Sequence, residues 1–177
     1  MSLDDNKNLI LNLIKQRPDM GKTALMKFVF FLQESFGMDL EYDFNIYTYG
    51  PYDGEVLEDL DIVTSVGLVD TEFYIADGYS GYKLNLTENS ERIVKDLLKE
   101  DQDRVGTVIR LFGHETANRL ELLSTIVYVA NKFERHDWGK DGDTIFGVVK
   151  GIKPHFEVKT IENAYNELLG HGIIREG

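Results

Sequence analysis

The stretch from Tyr42 to Gly54, Y-D-F-N-I-Y-T-Y-G-P-Y-D-G, constrains the fold more than any other part of the chain. Phe44, Ile46 and Thr48 alternate with Asn45, Tyr47 and Tyr49, the period of a short strand. Gly50-Pro51 then predicts the end of that strand and sets φ for a new helix. The expectation is a strand-to-helix corner, flanked by helices that need a partner and by a helix and hairpin that supply one.

Before the corner, Leu9, Ile10, Leu13 and Ile14 predict an amphipathic helix over 4–16, broken by Pro18-Asp19-Met20-Gly21. Leu25, Phe28, Val29, Phe31, Leu32 and Phe36 are apolar over more than half the circumference of a second helix over 22–36, as a central core helix should be, and Gly37 is placed to end it. After the corner, Val56, Leu57, Leu60, Val63 and Val66 stripe a third helix that stops at Gly67. A strand over 68–75, a turn region at Asp77 to Gly81 and a returning strand over 82–86 follow, and Thr87 is placed to cap a helix over 88–99. Three helices and a hairpin in this order predict a winged-helix-like module over 4–100.

Asp101 to Arg104 reads as a charged linker, and helical patterns over 104–112, 116–135 and 161–174 predict a helical module over 101–175. The fold class expected is therefore mainly α with a small antiparallel β hairpin, an α+β fold. Leu122 to Val129 resembles Leu25 to Leu32 in pattern, and the end of the last helix echoes Val56 to Val69. This is the signature of a degraded second copy, with chance similarity between amphipathic helices as the competing explanation.

Composition narrows the function. With 177 residues, 42% hydrophobic and 11% aromatic, the chain can bury a substantial core. Without cysteine it has no disulfide framework, thiolate metal site or cysteine nucleophile, which fits a reducing compartment. No signal-peptide pattern or membrane-length apolar run is present, so the reading is cytoplasmic, and residues 1–3 and 176–177 read as cloning remnants. The net charge of −12 is carried by one segment. From Phe28 to Tyr82 there is no Lys, Arg or His, while Asp and Glu recur from Glu34 to Asp77.

Chemical motifs are weak. Gly21-Lys22-Thr23 suggests a phosphate loop, but Gln16 stands where its first glycine belongs and the preceding segment is helical, so a plain helix start is favoured. His114, His136, His155 and His171 include no pair at i, i+4, and no metal site is expected. Glu134 to Asp143 has donors for an opportunistic cation, but a solvated loop with Trp138 tucked inward is the better reading. No serine lies in a nucleophile elbow, and Ser80-Gly81-Tyr82-Lys83 lacks the partner motifs of a Ser-x-x-Lys enzyme. No catalytic constellation and no cofactor is expected. Tyr42, Tyr47, Tyr49 and Tyr52 crowd the corner, and Tyr74, Tyr79 and Tyr82 the hairpin. Packing under the corner accounts for some of these rings, and a Tyr-rich contact surface for others.

Leu25-x-Lys27-Phe28-Val29-Phe30 followed by Tyr47-x-Tyr49-Gly50-Pro51-Tyr52 resembles the YwgA-type family of prokaryotic proteins and, more distantly, the Panacea antitoxin domain. The similarity covers 8–69 well and is poor beyond Glu100. Ala24 stands where the Panacea pattern has its first lysine, Phe30 where it has tyrosine, and Asp53 where serine is usual. The resemblance implies a winged-helix-like fold and, through the Panacea relatives, binding of a partner protein toxin without catalysis. The sequence thus predicts a non-enzymatic protein-binding module, antitoxin-like or regulatory, whose contact surface is Tyr47, Tyr49, Gly50, Pro51, Tyr52, Asp53 and Glu55. A winged-helix DNA-binding regulator is the alternative, although an acidic third helix argues against nucleic acid there. An enzyme whose site assembles from distant residues is the third reading.

Overall fold

Asp4 opens the first helix, α1 (Asp5–Gln16), by accepting a hydrogen bond from the backbone N–H of Lys7. The structure, a computed structural model, describes residues 4–76, 78–138 and 141–175. Asp77 of the expected turn, Gly139 and Lys140 of the expected 134–143 loop, and both terminal segments read as cloning remnants lie outside those residues. Helix α2 (Lys22–Glu34) is the central element: every residue from Leu25 to Leu32 is buried, Lys27 among them. Helix α3 (Gly54–Ser65) buries Val56, Leu60 and Val63, and Gly67 leaves it at φ +75°.

The strand-to-helix corner is a hairpin instead. Strand β1 (Asn45–Tyr47) pairs antiparallel with β2 (Gly50–Tyr52), joined by Thr48 and Tyr49, and α3 starts only after Asp53, which caps it. Gly50-Pro51 therefore opens a strand rather than a helix. A two-residue connection usually needs positive φ within the loop. Here the positive φ falls one residue later, at Gly50, at +89°. Pro51 lies opposite Ile46, next to the pair that closes the turn, where an N–H would point away from the partner strand. Its missing N–H costs no ladder bond.

Strands β3 (Val69–Ala76) and β4 (Tyr79–Leu86) form a longer hairpin, paired without a bulge from Val69↔Leu86 to Ala76↔Tyr79. The helix expected over 88–99 does not form. Only a 3₁₀ turn at Ser90–Arg92 follows, and the Thr87 hydroxyl bonds the Gly67 carbonyl rather than capping a helix. Two asparagines of α1 hold the segment out of helix. Asn8 accepts from the Lys95 N–H at 2.9 Å, and the side-chain amides of Asn8 and Asn12 both donate to the Lys95 carbonyl.

Asp101 to Arg104 is helical rather than a linker, being part of α4 (Lys99–Phe112). Its charges pair along one helix, Arg104 with Glu100 and Asp101, and Lys99 with Asp103. Helices α5 (Ala117–His136), α6 (Gly142–Ile152) and α7 (Val158–Gly170) complete the chain. Trp138 is 57% exposed rather than tucked inward, because it stacks on the His136 ring at the end of α5. Among the described residues the fold is mainly α with two antiparallel hairpins, an α+β fold. Buried side chains from both halves form one core, in which Phe31 of α2 stacks on Phe112 of α4 at 4.1 Å. Helices α2 and α5, whose sequence patterns echo each other, pack against one another.

Candidate functional site

The β1–β2 hairpin is held to the body by two buried lysines. Lys27 projects from the enclosed face of α2, is 2% exposed, and donates to the Pro51 carbonyl at 2.5 Å. That carbonyl points away from β1, as the register requires, and so is open to Lys27. Lys153, at the end of α6 and 3% exposed, donates to the Tyr47 carbonyl at 3.2 Å and to the Thr48 carbonyl. The same ammonium lies 2.8 Å from Glu121 Oε1 on α5.

Glu121 is the anionic centre of this arrangement. Its Oε1 is ion-paired with Lys153, and His155 Nε2 lies 3.5 Å away, yet no donor reaches that oxygen with hydrogen-bond geometry. The ion pair and the missing hydrogen bond are compatible, since Coulomb attraction is less directional than a hydrogen bond. The Glu121 carboxylate thus pairs with Lys153 and also acts electrostatically on Lys27. Burial pushes the Lys27 ammonium down to about 8, repulsion from Lys153 adds to this, and Glu121 opposes it.

Gly50 completes the attachment. A Cβ there would lie 3.2 Å from Ser124 Oγ and 3.3 Å from the Glu121 carbonyl oxygen. That oxygen already accepts from the hydroxyls of Ser124 and Thr125. The β2 backbone therefore rests on α5 where no side chain fits.

The expected contact residues divide by position. Tyr47 and Tyr49 stand out at 62% and 69% exposure, and Glu55 is exposed beyond them. Gly50 and Pro51 are buried and serve attachment. Tyr52 is half-buried, with its ring edge-on to Tyr47 at 5.3 Å. Asp53 has both oxygens engaged, accepting from the N–H groups of Glu55 and Asp43. Tyr42, by contrast, is core, and its hydroxyl donates to Asp59 at 2.8 Å.

A concavity of about 530 Å³ lies on one side of the tip, lined by Tyr47, Tyr49, Asn118, Glu121, Lys153 and His155 among others. A second, of about 320 Å³, lies on the other side and is lined by Glu41, Asp43, Asp53 and Glu55 with Tyr47 and Tyr52. Tyr47 borders both.

Glu121 and Lys153 were not visible as site residues in the sequence, whereas Lys27 entered only through the family pattern. A signal exists for two of the three. Lys27 interrupts Leu25-Met26-x-Phe28-Val29, and Glu121 interrupts Leu120-x-Leu122-Leu123, so each places a charge on the buried face of a helix. Lys153 has no such signature.

At the other motifs, Gly21 is the N-cap of α2, and Lys22 lies 4.7 Å over the Tyr82 ring and 3.9 Å from Asp61. Among the described residues no group of three or more His, Cys, Asp or Glu could hold a metal ion, and no helix is long and apolar enough to cross a membrane. No protein-family model matches the chain, and no curated protein is significantly similar to it in sequence.

Proposed function

We propose that the chain is a non-enzymatic, cytoplasmic protein-binding module whose contact surface centres on the β1–β2 tip. One observation carries this reading: Lys27, Lys153 and Gly50 fix the hairpin backbone from below, while the rings of Tyr47 and Tyr49 remain in solvent. Folding alone gives no reason to immobilise a loop that presents aromatic rings to water. Binding does, since a preorganised loop loses little entropy on association and tyrosine brings large contact area with few rotors.

The acidic rim of Glu41, Asp43 and Glu55 suits a partner with a basic surface. An antitoxin-like or regulatory role is the form of protein binding that the family resemblance suggests. A photo-crosslinking phenylalanine analogue at position 49, expressed in cells, tests the reading. A discrete protein adduct should form, and should fail to form when the analogue replaces the exposed Lys99 or when Tyr47→Ala is added. Equal labelling from positions 49 and 99 would defeat the proposal.

A further inference from the structure

The β3–β4 ribbon carries a second surface, separate from the β1–β2 tip. On β4, the N–H and carbonyl of Leu84 are bonded to Met20 and Asp19, so they point out of the ribbon. Leu84 pairs with Thr71, and outward-pointing groups recur at every second residue. On β3 they therefore belong to Thr71, Phe73 and Ile75. Among the described residues no hydrogen bond reaches the backbone of these three.

The same alternation divides the side chains. Val69, Thr71, Phe73 and Ile75 share a face with Leu84 and Tyr82, whereas Asp70, Glu72 and Tyr74 lie on the other with Lys83. Val69 and Leu84 sink into the core. Phe73, Ile75 and Tyr82 continue that apolar face beyond the body, exposed, with Ile75 at 74%. Natural edge strands are guarded by charged side chains, lysine above all, and by proline, bulges or cover. The only charges on β3, Asp70 and Glu72, repel acidic strands but not basic ones. Strand β3 contains no lysine or proline and pairs without a bulge.

We infer that the open edge of β3 receives an extended segment of a partner protein by strand addition, in which apolar residues facing Phe73 and Ile75 alternate with basic residues facing Asp70 and Glu72. Charge decides the occupant. A second copy would bring another net charge of −12, and self-pairing of β3 would place its only charged side chains, both acidic, in one sheet. An alternating basic and apolar strand meets both faces at once.

The test titrates the isotope-labelled chain with an octapeptide alternating Lys and Val, and with a peptide of four Lys followed by four Val. The alternating peptide should shift the amides of Thr71, Phe73 and Ile75, slow their hydrogen exchange, and bind at least tenfold more tightly than the block peptide. Phe73→Pro removes an outward N–H but no ladder bond, and should weaken binding at least tenfold. As a second variant, Asp70→Lys with Glu72→Lys should reverse the preference toward a peptide alternating Glu and Val. The inference is overturned by unchanged amides at millimolar peptide, by equal binding of the block peptide, or by unchanged peptide preference in the charge-reversed variant. A free chain that dimerises in sedimentation and becomes monomeric on Phe73→Pro would also overturn it, making a second copy the occupant.

Discussion

Lys153 lies 2.8 Å from Glu121 Oε1 and at the same time donates to the carbonyls of Tyr47 and Thr48, so one buried ammonium joins α5 to the tip of the β1–β2 hairpin. Removing one member of such a pair strands the other charge in the interior, at a cost of about 3–5 kcal/mol, whereas replacing both by apolar groups is often neutral. Lys153→Met should therefore lower stability to urea by about that amount. Lys153→Met with Glu121→Leu should recover part of it, though not the part due to the two carbonyls. Equal losses in the single and double variants would show that the ion pair contributes nothing beyond those carbonyl bonds.

Gly50 and Gly67 separate two costs that a glycine can carry. Both have positive φ, +89° and +75°, but a Cβ at Gly67 meets nothing within 4 Å, whereas one at Gly50 meets Ser124, Glu121 and Thr125 at 3.2–3.3 Å. Gly67→Ala should cost only the left-handed backbone term, about 1–2 kcal/mol. Gly50→Ala should cost at least about 1 kcal/mol more, since α5 must give way, and Gly50→Val should lower the melting temperature by several degrees. Equal losses from the two alanine substitutions would mean that the hairpin moves off α5 freely.

Much of the fold was legible because hydrophobic periodicity survives where one face of an element is buried, as in α3. Helix α1, by contrast, is buried all round from Asn8 to Ile14. The β3–β4 ribbon, with only Val69 and Leu84 buried, was marked by its strand-forming residues and turn glycines instead. Periodicity failed over 88–99, where Ile93, Val94, Leu97 and Leu98 mimic a helical stripe. Hydrogen bonds from Asn8 and Asn12, over eighty residues away in sequence, overrode that local pattern. The site was legible in part. Exposed Tyr47 and Tyr49 could be read from the corner, but their anchor joins residues 27, 121 and 153, and nothing local to Lys153 announces a buried ammonium. The asparagines give a further test. Asn8→Ala with Asn12→Ala leaves the Lys95 carbonyl and N–H without these partners, and should cost about 1–3 kcal/mol while raising amide exchange at Lys95 well above that of α1. Unchanged exchange at Lys95 would show that the segment is held by something else.

Lys27 makes stability depend on pH in a defined window. Its folded value of about 8 lies below the ordinary lysine value of 10.5. Below pH 8 both states hold the proton and this group adds no slope. Between pH 8 and 10.5 the unfolded chain holds a proton that the folded chain has lost, so stability rises with pH, by at most about 3 kcal/mol across the window. Lys27→Met should remove that rise. The comparison is made by urea denaturation of both proteins at several pH values, and parallel profiles would show that Lys27 titrates as an ordinary lysine.

Helix α3, whose place in the sequence matches that of the recognition helix in a winged-helix module, should not read DNA. Phosphate contacts are driven by release of counterions to cationic side chains, and a recognition helix needs positive or neutral donors toward the groove. The exposed side of α3 carries Glu55, Glu58 and Asp61, with Lys22 of α2 approaching Asp61 only to 3.9 Å. Asp53 and Asp59 are turned to other tasks, Asp53 capping the helix and Asp59 accepting from Tyr42 and pairing with Lys7. A carboxylate ~7 Å from a phosphate in water is repelled by about 0.6 kcal/mol, so the three outward ones oppose docking by about 2 kcal/mol before screening. The ribbon offers only Lys83, which lies over the Tyr74 ring. An electrophoretic shift assay at ~50 mM salt, where electrostatic attraction is strongest, should show no complex at micromolar protein. Micromolar binding that survives neutralising Lys95 and Lys99, but is lost when Glu58 and Ile62 on α3 are changed to alanine, would replace the protein-binding reading with that of a DNA-binding regulator.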